Sequence, residues 1–265
     1  MDILNSITLG VIQGITEFLP ISSSGHLIVA RDWLGIQVSY GLSYDAILQL
    51  ATTLAVLFYF NKDIKSYFVT FLNIVLRRHV ELVDRKTFLA IIIGTIPSVI
   101  IGFLLEDTMS TIFRNSQLVA VTLIIGSLIM FFSESFAKKQ EKSITIKKGF
   151  FIGLFQTLAL IPGMSRSGMT ISGGLFNGLS REYATRFSFL LSLPILTGSG
   201  LKKLFDLSSE QILNTVGLDL IISFTVSFFV GLFVINFLLK FLRNNSMKVF
   251  IVYRIILAVV ILIFL

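Results

Sequence analysis

Cysteine is absent from the 265 residues, which excludes a disulfide, a thiolate nucleophile and a cysteine-bound metal. Charge is scarce: 14% of residues are Asp, Glu, Lys or Arg, where a soluble domain usually carries about a quarter. Histidine occurs only as His26 and His79, so imidazole chemistry is confined to two positions. No Lys or Arg precedes Arg31, so the basic leader of a cleavable signal peptide is missing and none is expected. No hydrophilic connection is long enough to make a soluble domain.

What is present is apolar. Hydrophobic residues make up 54% of the chain, 26 of them Phe, and mean hydropathy is +0.88. Residues 87–105 (TFLAIIIGTIPSVIIGFLL), 116–133 (SQLVAVTLIIGSLIMFFS) and 220–239 (LIISFTVSFFVGLFVINFLL) contain no charge, and a bilayer is spanned by roughly 17–25 such residues. Residues 44–60, 186–201 and 249–265, the last interrupted by Arg254, are further candidate crossings. The fold expected is an all-α polytopic membrane protein forming one integral-membrane domain over 1–265. The net charge of +7 does not point to nucleic acid, because the basic residues cluster between spans, as they do in cytoplasmic loops.

Those clusters orient the chain. Residues 61–86 carry Lys62, Lys65, Arg77, Arg78, Arg85 and Lys86, and 138–148 carry Lys138, Lys139, Lys142, Lys147 and Lys148. With both inside, Glu106, Asp107, Asp206, Glu210 and Asp219 fall outside and Lys240, Arg243 and Lys248 inside. Lys202 and Lys203 then violate the rule mildly.

Two apolar segments, 3–19 and 149–161, run into proline, glycine and serines. Broken backbone at membrane depth is tolerated only where protein or a watery cavity satisfies it, so both read as re-entrant hairpins, the first entering from outside and the second from inside. Offset by 143 positions, Gly10, Gln13, Ser22, Ser24, Gly25 and Ile28 fall on Gly153, Gln156, Ser165, Ser167, Gly168 and Ile171. Each hairpin is followed by three candidate spans, an odd number, which inverts the second copy. The pattern predicts two inverted-topology repeats, about 1–140 and 144–265, each a re-entrant helical hairpin plus three transmembrane helices around a shared midplane site.

The hairpins hold the reactive groups. Glu17 is an ionisable side chain in an apolar run, by default a functional residue, and Gln13 lies four residues before it on the same helix face. Ser22, Ser23, Ser24 and Gly25 form a turn or N-cap, after which a helix would aim free amides into the cavity as an anion site. His26 is either a packing residue or one corner of a nucleophile–base–orienter set. His79 follows Arg77 and Arg78 and reads as solvated. In "PGMSRSGMT", Arg166 stands between two hydroxyls, suited to phosphate or carboxylate. A carboxylate from one repeat facing an Arg from the other, with a divalent cation bridging phosphate to Glu17, suits a phosphorylated amphiphile.

The stretches "QGITEFLPISSSGHL" and "PGMSRSGMT", supported by "DAILQLATTLAVLFYF" and "ATRFSFLLSLP", resemble the undecaprenyl-diphosphate phosphatase family, also called the bacitracin-resistance protein family. The family's Glu/Gln-x-x-x-Glu motif maps onto Gln13 and Glu17, its Ser-Ser-Ser/Thr-Gly-His run onto Ser22 to His26, and its Pro-Gly-x-Ser-Arg-Ser-x-x-Thr motif onto Pro162 to Thr170. Gln13 is the uncharged choice, leaving one carboxylate for a cation. The resemblance implies a plasma-membrane hydrolase, multi-pass and homodimeric. It would convert undecaprenyl diphosphate to undecaprenyl phosphate and inorganic phosphate with Mg2+ or Ca2+, recycling the cell-wall lipid carrier and lowering the target of bacitracin. Glu17, Ser23, His26 and Arg166 are then the candidate catalytic residues. Ser22, Ser24, Ser165, Ser167, Gly168 and Thr170 are candidates for phosphate binding, and Glu17 with Gln13 for the metal. The attacking group is open among Ser23, His26 and water. A polyprenyl-phosphate transporter is the alternative reading, since inverted repeats with broken helices are also transporter architecture.

Overall fold

Apolar runs carrying Ser and Thr but only four prolines favour long helices, and in lipid only helices satisfy the backbone within one segment. The computed structural model describes residues 3–36, 41–105, 116–137, 141–209 and 213–264. Glu106, Asp107, Lys138, Lys139 and Glu210, used above for orientation, lie outside the described residues, as do the side chains of Lys203 and Asp206.

The described chain is helical: α1 (Ile3–Thr16), α2 (Ser23–Leu34), α3 (Gly41–Tyr59), α4 (Asn61–Val75), α5 (Leu82–Leu104), α6 (Ser116–Glu134), α7 (Ile146–Leu158), α8 (Arg166–Phe176), α9 (Arg181–Ser209), α10 (Leu213–Asn244) and α11 (Lys248–Phe264). The only sheet-like pairing among the described residues is an isolated bridge between Glu141 and Leu179. Three helices, Leu82–Leu104, Ser116–Glu134 and Gly217–Asn244, are long and apolar enough to cross a membrane. The other expected crossings fall on α3, α9 and α11. These are less apolar or shorter; α3 and α9 bury Thr52, Thr53, Thr185, Ser188 and Ser192, polar groups that face the bundle interior rather than lipid. Outward-facing Phe58, Phe103, Phe229, Phe233 and Phe264 are each at least 63% exposed, the inverse of a soluble surface.

One connection read as a loop is a helix. Within 61–86, α4 occupies Asn61–Val75, because Ile64, Tyr67, Phe68, Phe71, Leu72 and Val75 recur at helical spacing. Lys62 and Lys65 lie exposed on it.

Ion pairs sort the helix ends onto two faces. On one, Arg181 grips Glu134 through Nε and Nη2 at 3.0 and 2.5 Å, and Glu134 accepts the Met247 backbone N–H at 2.7 Å. Arg186–Asp63, Lys148–Glu141 and Arg243–Glu182 lie on the same face. On the other, Arg31 binds Asp45 with two bonds of 2.6 and 2.7 Å. Ser116 donates to Asp32 at 2.6 Å, and Tyr44 meets Ser223.

The short helices α1 and α7, about 20 Å long at 1.5 Å per residue, start from opposite faces. α1 starts on the Arg31 face, where the Ser223 hydroxyl donates to the Ser6 carbonyl, and α2 returns there. α7 starts at Lys147 on the opposite face, and α8 returns to the Glu141 pairing. Small residues permit this burial. A Cβ on Gly10 would sit 2.6 Å from the Ser223 carbonyl of α10, and one on Gly153 would sit 2.1 Å from the Gly94 carbonyl of α5, so backbones touch as in small-xxx-small membrane packing.

Candidate active site

Both hairpins turn through a serine in the left-handed region, Ser22 at φ 77° and Ser165 at φ 73°, where only a heavily constrained non-glycine persists. Each serine caps the helix that follows: Ser22 Oγ accepts the Gly25 N–H at 3.3 Å and Ser165 Oγ the Gly168 N–H at 3.2 Å. The turns also touch, since the Gly163 N–H donates to Ser22 Oγ at 3.2 Å. Gly163 is required there: its φ is +92°, and a Cβ would come within 1.9 Å of Thr122 Oγ1.

Across this junction the two hairpins share one ion pair. Arg166 Nη2 donates to Glu17 Oε1 at 2.7 Å, with both side chains nearly buried. Glu17 Oε2 accepts Ser23 Oγ at 2.8 Å and Gln13 Nε2 at 3.0 Å. Two polar atoms nearby are buried without a hydrogen-bond partner, Arg166 Nε and Gln13 Oε1, a costly state unless a ligand group completes it.

Glu17, Ser22, Ser23, Ser24, Ser165 and Arg166 lie at the base of a cavity of about 710 Å³. Val99, Gly102, Phe103, Leu160 and Ile195 form an apolar wall; Arg31, Asp32, Asp45 and Lys202 stand towards its outer end. A polar base under an apolar wall suits an amphiphile with a charged head.

The remaining residues expected at the site do not line the cavity. Ser167 donates to the Leu19 carbonyl at 3.0 Å, tying the second hairpin to the first. Thr170 donates to the Arg166 carbonyl at 2.7 Å and meets Ser188 Oγ at 2.5 Å, and Gly168 contributes only the capped N–H. Gln13 stands behind Glu17. His26 turns away. Its Nδ1 lies 2.7 Å from the Ser22 carbonyl, which can only accept, so Nδ1 carries the proton; Nε2 then accepts the Tyr253 hydroxyl at 2.7 Å. The two rings stack at 5.6 Å. Both ring nitrogens are thus engaged on the side of α2 away from the cavity.

Sequence reasoning placed no role on Gln156, which donates to Ser98 Oγ at 3.2 Å on the cavity wall, on the Arg31–Asp45 pair, or on Arg254. The last had a signal: a lone charge in an otherwise apolar crossing.

Residues 6–260 match the family described as bacitracin resistance protein BacA. The chain belongs to that family. The undecaprenyl-diphosphatase of Thermobifida fusca is 40% identical over 268 residues, 99% of this chain and 90% of its own. That of Chloroherpeton thalassium is 41% identical over 273 residues, 99% and 96% of the two chains. That of Methanosphaera stadtmanae is 40% identical over 238 residues, 85% and 86%. The resemblance carried by "QGITEFLPISSSGHL" and "PGMSRSGMT" is thereby borne out, and the two stretches meet at the Glu17–Arg166 pair.

Proposed function

We propose that this bacitracin-resistance family member is a membrane phosphatase that hydrolyses undecaprenyl diphosphate to undecaprenyl phosphate and inorganic phosphate, at a site built by two inverted repeats. One observation carries the reading: Glu17 of one hairpin meets Arg166 of the other at 2.7 Å with the Ser23 hydroxyl on the same carboxylate. A nucleophile, its base and an anion clamp thus share one cavity. Relatives bearing the phosphatase name support the activity; the lipid-transporter alternative draws no support from them.

The repeats, about 1–140 and 144–265, are supported by reciprocal packing. Each hairpin's first helix lies along a span of the other repeat, α1 on α10 and α7 on α5. Ser22 and Ser165 share the same unusual φ and the same capping bond.

In the reaction, Ser23 Oγ passes its proton to Glu17 and bonds to the terminal phosphorus. The bond from that phosphorus to the bridging oxygen breaks, and undecaprenyl phosphate leaves. Water then attacks the phosphoserine, releasing inorganic phosphate and restoring the serine proton through Glu17. Phosphoryl transfer depends mainly on position and charge neutralisation. Arg166 supplies these with its unpaired Nε–H, together with the first-turn amides of α2 and α8. His26 holds the Ser22 carbonyl and so the turn before Ser23; it positions rather than attacks. Mg2+ or Ca2+ would be held by oxygens of Glu17 and of Gln13, whose Oε1 is a hard oxygen buried without a partner, with the remaining ligands coming from substrate phosphate and water, as Mg2+ commonly takes only one or two carboxylates. When bound, such an ion would offset charge on the diphosphate.

The purified protein in detergent should release phosphate from undecaprenyl diphosphate, and chelator should lower the rate about tenfold or more. No release would reject the phosphatase; release indifferent to chelator would reject the cation. On this reading the Arg31 face, onto which the cavity opens, lies outside the plasma membrane, because the opposite face carries the basic loops. A cysteine at exposed Leu34 should therefore react with an impermeant thiol reagent added to cells, and one at exposed Ser143 should not. The reverse labelling would invert the orientation.

A further inference from the structure

Arg254 is fully buried in α11, and none of its hydrogen-bond partners among the described residues is a carboxylate. All are oxygens of the site's own scaffold. Nη1 donates to the Pro20 carbonyl at 3.4 Å and Nη2 to the Gly163 carbonyl at 2.9 Å, one in each hairpin turn. Nη2 also reaches the Leu123 carbonyl at 3.1 Å, and Nε the Ser127 hydroxyl at 3.0 Å, both on α6. A charge placed this deep in an apolar helix is expensive and is retained for function or architecture. Here its fork spans the two turns whose neighbours, three residues along in each case, are Ser23 and Arg166.

We infer that Arg254 is a positioning residue for the hydrolysis: its guanidinium locks the Pro20 and Gly163 carbonyls in register, so that Ser23 and Arg166 address the same phosphorus. The inference rests on the assignment of Ser23, Glu17 and Arg166 to the site. Geometry favours this over a general packing role. Five donors in a rigid planar fork can serve two turns and a helix at once, which a lysine ammonium on a flexible stem cannot. The fork is also enclosed by a helix face with no room to spare. A Cβ on Gly126 of α6 would fall 2.3 Å from Arg254 Nη2 and 3.0 Å from the Met164 carbonyl. Gly126→Ala would therefore displace the guanidinium while leaving Arg254 itself in the chain. The substitution also favours the helix in which it sits.

The same residue explains the adjacent pair. Tyr253 holds His26 through its hydroxyl, and His26 holds the Ser22 carbonyl, so neighbouring residues of α11 reach the first turn at two points. The second turn is reached by Arg254 alone among these two.

The test measures kcat and KM for phosphate release from undecaprenyl diphosphate in detergent, with thermal unfolding, for Arg254→Lys, Gly126→Ala, the double variant and Arg166→Lys. Misplacement of reacting groups by about 1 Å lowers rate up to about a hundredfold. Arg254→Lys and Gly126→Ala should each lower kcat at least about tenfold with KM within about threefold. Because both act through one guanidinium, the double variant should be no worse than the poorer single one. The unfolding midpoint of Gly126→Ala should stay well above the assay temperature, so that its kcat is that of folded protein. A normal kcat in Gly126→Ala, or losses that multiply in the double variant, overturns the inference, as does activity that falls only in step with folded protein. Should Arg254→Lys fail to fold, Gly126→Ala decides alone. If Arg166→Lys is fully active, the site assignment itself has failed, and that outcome is read separately.

Discussion

Ser23→Ala should abolish phosphate release, by about a thousandfold or more, while the protein still binds its lipid. Losses of that size follow when an attacking group is removed and only binding and electrostatics remain. Ser23 is the hydroxyl of its run that touches the carboxylate, at 2.8 Å from Glu17 Oε2. Ser22 and Ser24 lie 3.4 Å apart and face one another, and Ser22 is committed to capping α2 and binding Gly163. The alanine removes one partly buried hydroxyl and leaves Glu17 with two donors, Arg166 and Gln13, so the fold should tolerate it. Turnover by single-turnover phosphate release, and lipid binding by tryptophan fluorescence of Trp33 or by co-purification, separate chemistry from affinity. His26→Ala should retain part of the activity, because both ring nitrogens face away from the cavity. An active Ser23→Ala protein, or a phosphorylated intermediate trapped on His26, would transfer the attack to imidazole or water.

Arg166→Lys is expected to lose about a hundred- to a thousandfold in kcat/KM, comparable with deleting an oriented donor aimed at developing charge. Charge is kept, so the loss measures geometry. The guanidinium spends Nη2 on Glu17 at 2.7 Å and reaches the Ser188 carbonyl weakly at 3.4 Å, leaving Nε–H for a phosphate oxygen. An ammonium carries its three donors on one nitrogen at the end of a flexible stem and does not reproduce the fixed spacing of Nη2 and Nε towards carboxylate and phosphate. Alanine would be the less informative variant. It would strand a buried carboxylate, at about 3–5 kcal/mol of stability, and confuse folding with catalysis. A correctly inserted lysine variant with near-parent turnover would remove Arg166 from the clamp.

Much of this protein could be read from its residues because the membrane imposes rules that act along the chain. Charge-free runs marked α5, α6 and the middle of α10, and lone polar residues inside apolar segments marked Glu17 and Arg166. Proline, glycine and serine clusters located both turns, and the 143-residue offset aligned Ser22 with Ser165, the two serines that share a positive φ. The loop assigned to 61–86 failed where two signals competed: basic residues suggested a connection, while the 3.6-residue apolar period within them produced α4.

Three matters were decided only by tertiary structure. One is which way a side chain of the serine–histidine run points. Position alone places His26 three residues from Ser23, but its bonds to the Ser22 carbonyl and to Tyr253, 227 positions away, turn it from the cavity. Another is the meeting of Glu17 with Arg166, 149 positions apart, which depends on α1 lying against α10 and α7 against α5. The last is Arg254, which looks in sequence like a flaw in a final crossing. Sequence patterns report the period of a helix and the cost of a polar group in lipid. They do not report which distant carbonyls make that cost bearable, because that depends on how closely helices from separate parts of the chain approach.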